Sequence, residues 1–196
     1  GLIIDIGEQV LREACTELVR LQKLGFNNFT ISVNVSQVQF RHPRFLETLR
    51  TVLAQTQAPP TRLELEITES IAMEDPDNLM LLLEQIKQTG VSIAIDDFGT
   101  GFSSLSYLQR LRVDCLKIDR SFITEITNSA RGSSIAQMVI QLGRNLDMAV
   151  VAEGVEDDRQ AQILGQLGCP YAQGYLFARP MMVDQLAGWL KDHGAR

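Results

Sequence analysis

Histidine is scarce in this chain. It occurs only as His42 and His193, and neither belongs to a ligand-spaced pair. Imidazole-based zinc sites and histidine-centred acid–base chemistry therefore find no support. Cysteine is also sparse: Cys15, Cys115 and Cys169 are far apart and odd in number. That pattern suits neither a disulfide framework nor a cysteine zinc site, and it points to a reducing, cytoplasmic compartment with three small core residues. No apolar run approaches the ~18 residues of a membrane span. No charged-then-apolar leader opens the chain. This segment is thus not expected to enter a membrane, although a longer parent protein can still be tethered to one. A basic surplus is missing too: the formal net charge is −6. Polymeric nucleic acid is accordingly not an expected partner. A phosphate-bearing small ligand stays open, because bound divalent cations reverse the local field of an acidic pocket.

What is present is an ordinary globular balance. The chain has 196 residues, 45% hydrophobic and 21% charged, enough for one domain spanning 1–196 with a sizeable core. Helical and strand periods alternate along it. Ile3, Ile6, Val10, Ala14, Leu18 and Leu21 recur at helical spacing, with Gly25 placed to end the helix. Phe29–Val35 alternates as a strand. A second helix is expected to open at Pro43, with Phe45, Leu49, Val52 and Leu53 buried. Leu63, Leu65 and Ile67 alternate with Glu64, Glu66 and Thr68 in the next strand. Asp75-Pro76 reads as an N-cap and first helical residue, followed by the stripe Leu79, Leu82, Leu83, Ile86. Then come a strand at Val91–Ile95, a short helix around Leu105–Leu111 and a strand at Cys115–Ile118. A long helix carries Ile135, Met138, Val139, Leu142 and Leu146. The remaining pattern is a strand at Ala149–Ala152, a helix stopped by Gly168, a strand at Tyr171–Phe177, and a helix carrying Leu186 and Leu190. Strand followed by helix, repeated, predicts a parallel sheet with helical crossovers.

Polar residues gather where the strands end. Asn34 closes the first strand, Glu66 the second, Asp96 and Asp97 the third, Lys117 and Asp119 the fourth and Glu153 the fifth, and Gln173 lies in the sixth. In a (β/α) barrel those C-terminal ends converge on one face, which carries the active site. Asn34, Glu66, Asp96 and Asp97 are hard oxygen donors, suited to Mg²⁺ or Mn²⁺. Two adjacent aspartates can serve two ions, and paired metals clamp the attacking and leaving oxygens of a phosphodiester displacement. Each piece alone has a plainer reading. Glu66-Ile67-Thr68-Glu69 could be a solvated strand end, Asn34 a buried amide, Asp97 an N-cap, and Lys117 with Asp119 a surface pair. The joint placement carries the functional reading.

Ser32–Ser36, Glu66–Ser70, Asp96-Asp97-Phe98-Gly99-Thr100-Gly101, Lys117-Ile118-Asp119, Glu153-Gly154-Val155-Glu156 and Gln173-Gly174-Tyr175 resemble, in order and spacing, the consecutive motifs of EAL-domain cyclic-di-GMP phosphodiesterases. The resemblance implies a TIM-type (β/α) barrel and hydrolysis of cyclic-di-GMP to linear pGpG with Mg²⁺ or Mn²⁺ at a two-metal site. It implies Asn34, Glu66, Asp96 and Asp97 as metal ligands, with Asp96 bridging. Lys117 would contact the water or phosphate, and Glu153 would act on the nucleophilic water. Asp119, Glu156 and Gln173 would support metal and substrate binding. Glu69 would hold the loop from Phe98 to about Tyr107. A homodimer is implied for the parent protein.

One departure stands out. The Glu-Ala-Leu tripeptide that names the family does not occur, and Glu13-Ala14-Cys15 lies on a helical pattern. Six strands are counted where a closed barrel has eight. The chain is therefore expected to hold an incomplete barrel, truncated at the N-terminus and starting at the helix after the second strand. The alternative to an enzyme is a non-catalytic EAL-like module that senses cyclic-di-GMP or docks a protein.

Overall fold

The computed structural model describes residues 1–73, 76–101, 108–127 and 130–193. The fold is α/β, with six strands among the described residues, and the chain divides into two compact units. The first unit comprises 1–66, 81–92 and 180–196; the second comprises 67–80 and 93–179.

In the first unit, α1 (Leu2–Lys23) buries Leu11, Cys15, Leu18 and Leu21. Their three- and four-residue spacing makes one stripe. Phe26 N–H closes the helix onto the Leu21 carbonyl at 3.1 Å, a Schellman-type ending. α1 packs against α3 (Phe45–Thr56), whose Phe45, Leu49, Val52 and Leu53 are buried. α3 opens two residues later than Pro43, because His42 O first accepts from Phe45 N–H in a turn. A short helix, α2 (Gln37–Phe40), precedes it and escaped the sequence reading. A capping box between Ser36 and Gln39 holds it. β1 (Ile31–Asn34) and β2 (Leu63–Thr68) run parallel, with Asn34 in register with Glu66. α9 (Val183–Asp192) brings Leu190 onto Leu21 and Phe26, with Phe29 and Trp189 packed around them.

In the second unit, β3 (Ser92–Phe98), β4 (Cys115–Ile118), β5 (Ala149–Ala152) and β6 (Tyr171–Ala172) are parallel neighbours in chain order. Every residue of β4 is buried, as befits an inner parallel strand covered on both faces. α7 (Ala130–Asn145) packs on β4 and β5. Helix α8 (Asp158–Leu167) follows β5. α4 (Glu69–Met73) follows β2, and α5 (Pro76–Lys87) leads toward β3.

Strand boundaries also differ from expectation: β1 covers Ile31–Asn34 rather than Phe29–Val35. β3 runs three residues beyond Ile95, to Phe98. β6 ends at Ala172 rather than Phe177, because the chain turns there: Phe177 and Ala178 N–H both donate to Gly174 O. The unforeseen helix α6 (Arg120–Glu125) is started by Asp119, whose carboxylate accepts from Ser121 N–H at 2.9 Å. The Asp75 N-cap, and residues 105–107 of the helix expected around Leu105–Leu111, lie outside the described residues. Among the described residues no helix is long and apolar enough to cross a membrane.

Candidate active site

The second unit gathers Asp96, Asp97 and Glu153, each offering a carboxylate oxygen within 4.8 Å of the others. Adjacent residues of a regular strand point to opposite faces, so Asp96 and Asp97 should diverge. A bulge prevents that. From Ile95 to Phe98, β3 advances three residues while its partner advances only two, from Leu116 to Ile118. Asp97 absorbs the extra residue at φ +54°, in the left-handed region that aspartate tolerates better than most side chains. Its N–H donates back to Asp96 Oδ1 at 3.0 Å. Bulges of this kind re-aim side chains beside active sites.

Partial desolvation pushes the Asp97 carboxyl above its ordinary pKa; the charges of Asp96 and Asp119 and a hydrogen bond with Asp119 add to it, and Lys117 opposes. Asp97 is exposed, so solvent tempers each effect. The direction is nonetheless clear: carboxylates crowd one another, and a cation placed among them would relieve the repulsion.

Lys117 lies on β4 with 5% of its side chain exposed, and its Nζ reaches Glu153 Oε1 at 2.5 Å. Glu153 follows directly on β5, its N–H bonded to Ile118 O at 3.2 Å. The strand register thus brings the ammonium to the carboxylate cluster. The carboxylate offsets part of the cost of burying that ammonium, and charge–charge interactions act strongly in so poorly solvated a place.

Glu69 opens α4 and is buried. Its Oε2 accepts from Gly99 N–H at 3.0 Å and Gly101 N–H at 3.2 Å, fixing the turn that follows Asp97. Gly99 sits at φ +100°, and a Cβ there would meet Phe122 Cε2 at 2.9 Å. Glycine is required at that point by both conformation and space. Residues 102–107 of the loop lie outside the described residues.

A cavity of about 200 Å³ adjoins Glu153, with Arg120, Glu156, Gln173 and Tyr175 among its lining. Glu156 Oε1 accepts from Arg120 Nη2 at 2.6 Å. Its backbone N–H donates to Gln160 Oε1 at 2.7 Å, and Gln160 Nε2 donates to Ile123 O on α6. Gln160 also completes a capping box with Asp157 at the start of α8. Gln173 is anchored by its backbone, donating to Ala152 O and accepting from Val155 N–H. Asp119 turns toward Ser121 and Asp97. Asn34 ends β1 and is exposed, whereas Glu66, expected to end its strand, lies buried within β2, which continues to Thr68. Arg120, Phe122 and Gln160 escaped the sequence reading. The Asp157–Gln160 capping spacing was the available signal for Gln160.

The donors in the cluster are all carboxylate oxygens, which fits a hard divalent cation and not a soft one. Residues 1–180 match the EAL domain family. MucR of Pseudomonas aeruginosa, a bifunctional diguanylate cyclase/cyclic di-GMP phosphodiesterase, is 45% identical over 95% of this chain and 27% of its own length. The solved structure of the MucR phosphodiesterase with c-di-GMP matches 95% of this chain and 75% of that one, with a TM-score of 0.92. NbdA of the same organism, a cyclic di-GMP phosphodiesterase, is 41% identical over 98% of this chain and 25% of its own length. A complex of Klebsiella pneumoniae BlrP1 with manganese and cy-diGMP is 28% identical, matches 92% of this chain and 45% of that one, and has a TM-score of 0.82. The chain spans about a quarter of the length of the two curated relatives. Matched from its first residue to residue 180, and sharing its backbone with these solved (β/α) barrels along nearly its whole length, the chain belongs to the EAL domain family.

Proposed function

We propose that this chain supplies catalytic machinery for hydrolysing one phosphodiester of cyclic-di-GMP, giving linear pGpG, with Mg²⁺ or Mn²⁺. The observation that carries this reading is the bulged Asp96-Asp97 pair converging with Glu153 beside a buried lysine. Two divalent cations bound there would stabilise charge on the scissile phosphate and lower the pKa of the attacking water. Asp96, Asp97 and Glu153 would hold them. Lys117 would hold its proton and direct positive charge at the phosphate. Glu153, already hydrogen-bonded to that ammonium, would accept a proton from the water. Glu69 positions the backbone after Asp97 without touching substrate.

The experiment is nucleotide chromatography on the full-length protein carrying this chain, incubated with cyclic-di-GMP. The expected result is pGpG with Mg²⁺ or Mn²⁺ and none with chelator. Intact cyclic-di-GMP at saturating metal would overturn the reading and leave a binding module.

Glu69→Ala should lower turnover although Glu69 is not a ligand. It leaves two N–H groups of the turn without their acceptor, at a cost of about 1–3 kcal/mol. The loss should be steepest at limiting metal, where the shape of the turn decides whether Asp97 is in place. Wild-type turnover by Glu69→Ala at limiting metal would contradict this.

A further inference from the structure

Lys117 on β4 and Glu153 just past β5 meet at 2.5 Å. β4 leads into α6, and β5 leads into the loop that opens α8. The ladder between the two strands closes with the bond from Glu153 N–H to Ile118 O. Gly154 follows at once, at φ +71° and without a side chain, a natural pivot on which Glu153 could swing. Past that point the two exits need another tie. Arg120 and Glu156 make one, but both are well exposed, and such pairs contribute little. Gln160 makes the other, and it is 6% exposed. Its Oε1 accepts from Glu156 N–H at 2.7 Å and Asp157 N–H at 3.3 Å, and its Nε2 donates to Ile123 O on α6 at 3.3 Å. Losing a buried partner of this kind leaves the groups it served unsatisfied, which costs more than an average bond contributes.

The helix at the other end of this tie is a fixed reference. Asp119 caps its start, and Ile123 is fully buried. Its Phe122 ring lies against Gly99, 2.9 Å from where a Cβ would stand, and so backs the turn that follows Asp97. One amide therefore registers the Glu153 loop against the helix that also supports the Asp97 turn. The capping box with Asp157 accounts for the Oε1 contacts. It does not call for the Nε2 bond, which crosses to another helix.

We infer that Gln160 is a positioning residue of the carboxylate cluster: by tying the backbone after β5 to α6, it holds Glu153 in place beside Asp96, Asp97 and Lys117. Its consequence for turnover rests on the hydrolase reading; its consequence for cation binding does not.

The test compares wild type, Gln160→Glu, Gln160→Met and Asp157→Ala in the full-length protein, at about pH 8, above the usual carboxylate range. Glutamate keeps acceptors for the Glu156 and Asp157 N–H groups but has no proton for Ile123 O, so it preserves the cap and breaks the tie. Methionine removes both. Asp157→Ala removes the acceptor of Gln160 N–H and leaves the tie. Calorimetric titration with Mn²⁺ reads the cluster without turnover, and steady-state kinetics on cyclic-di-GMP separates kcat from KM. Gln160→Glu and Gln160→Met should each weaken Mn²⁺ binding and lower kcat about 10- to 100-fold, with KM within about threefold. The loss in Gln160→Glu is the sharper result, because its added negative charge alone would strengthen cation binding. Asp157→Ala should melt earlier, yet bind Mn²⁺ and turn over within about twofold of wild type. Wild-type affinity and kcat in Gln160→Glu, losses in Asp157→Ala equal to those of Gln160→Met, or a raised KM with unchanged kcat would each overturn the positioning role. If Gln160→Met does not fold, Gln160→Glu against Asp157→Ala decides. If wild type binds Mn²⁺ yet leaves cyclic-di-GMP uncut, the hydrolase reading fails, and the Mn²⁺ affinities alone decide for or against Gln160.

Discussion

Asp96→Ala is expected to lower turnover by roughly 10³-fold or more, at or beyond the upper end of what losing one electrostatic contact costs an active site. Two losses coincide. One carboxylate leaves the three-membered cluster, and the acceptor that anchors Asp97 N–H disappears. Asp96→Asn separates them. The amide oxygen can still accept from Asp97 N–H and keep the bulge, while the charge is gone. Both variants should be inactive, and the asparagine variant should keep the wild-type melting temperature. Metal titration by calorimetry should show weakened binding in both. Wild-type metal affinity in Asp96→Asn would remove Asp96 from the ligand set.

Lys117→Met should cost about 10²- to 10³-fold in turnover while leaving metal affinity close to wild type, because an ammonium is no ligand. Its effect on stability is the more telling measurement. Without Lys117, Glu153 stays half-buried beside Asp96 and Asp97 with its 2.5 Å partner gone. Breaking a fully buried pair costs about 3–5 kcal/mol; the partial exposure of Glu153 puts this site at or below the low end. Cations bound among the carboxylates would supply the missing positive charge and stabilise the native state by mass action. The melting deficit should therefore shrink as Mg²⁺ or Mn²⁺ is added. A deficit unmoved by metal, or a loss of metal affinity equal to that of Asp96→Ala, would contradict the role given to Lys117.

The alternation of strand and helix was legible because burial imposes a period, and β4 and β5 fall where the apolar runs predict. Strand-end polarity was legible for Lys117, which breaks the apolar run Cys115–Ile118; Asn34 and Glu66 keep the alternation of their strands, and the burial of Glu66 did not show in it. The orientation of Asp97 was not. A bulge adds one residue without changing composition, and nothing in Ile95-Asp96-Asp97-Phe98 distinguishes it from a regular strand. The last strand was overextended because Tyr171, Tyr175 and Phe177 all favour strands, while the turn at Gly174 is set by its packing on Val155. Arg120 stayed hidden because an arginine after a helix-capping aspartate reads as solvated surface. Its contacts run to Gly154 and Glu156, more than thirty residues away.

The bulge in β3 also limits how this chemistry can be moved to another scaffold. A designer who copied only Asp-Asp onto a straight strand would send the two carboxylates to opposite sides of the sheet, and one would be wasted. The portable unit is the pair together with its extra residue, the left-handed backbone at Asp97 and the glutamate that clasps the glycines behind it. For the same reason, a one-residue deletion between Ile95 and Phe98 would be worse than a substitution. It would restore ideal pairing with β4, improve the sheet, and dismantle the carboxylate cluster in the same stroke.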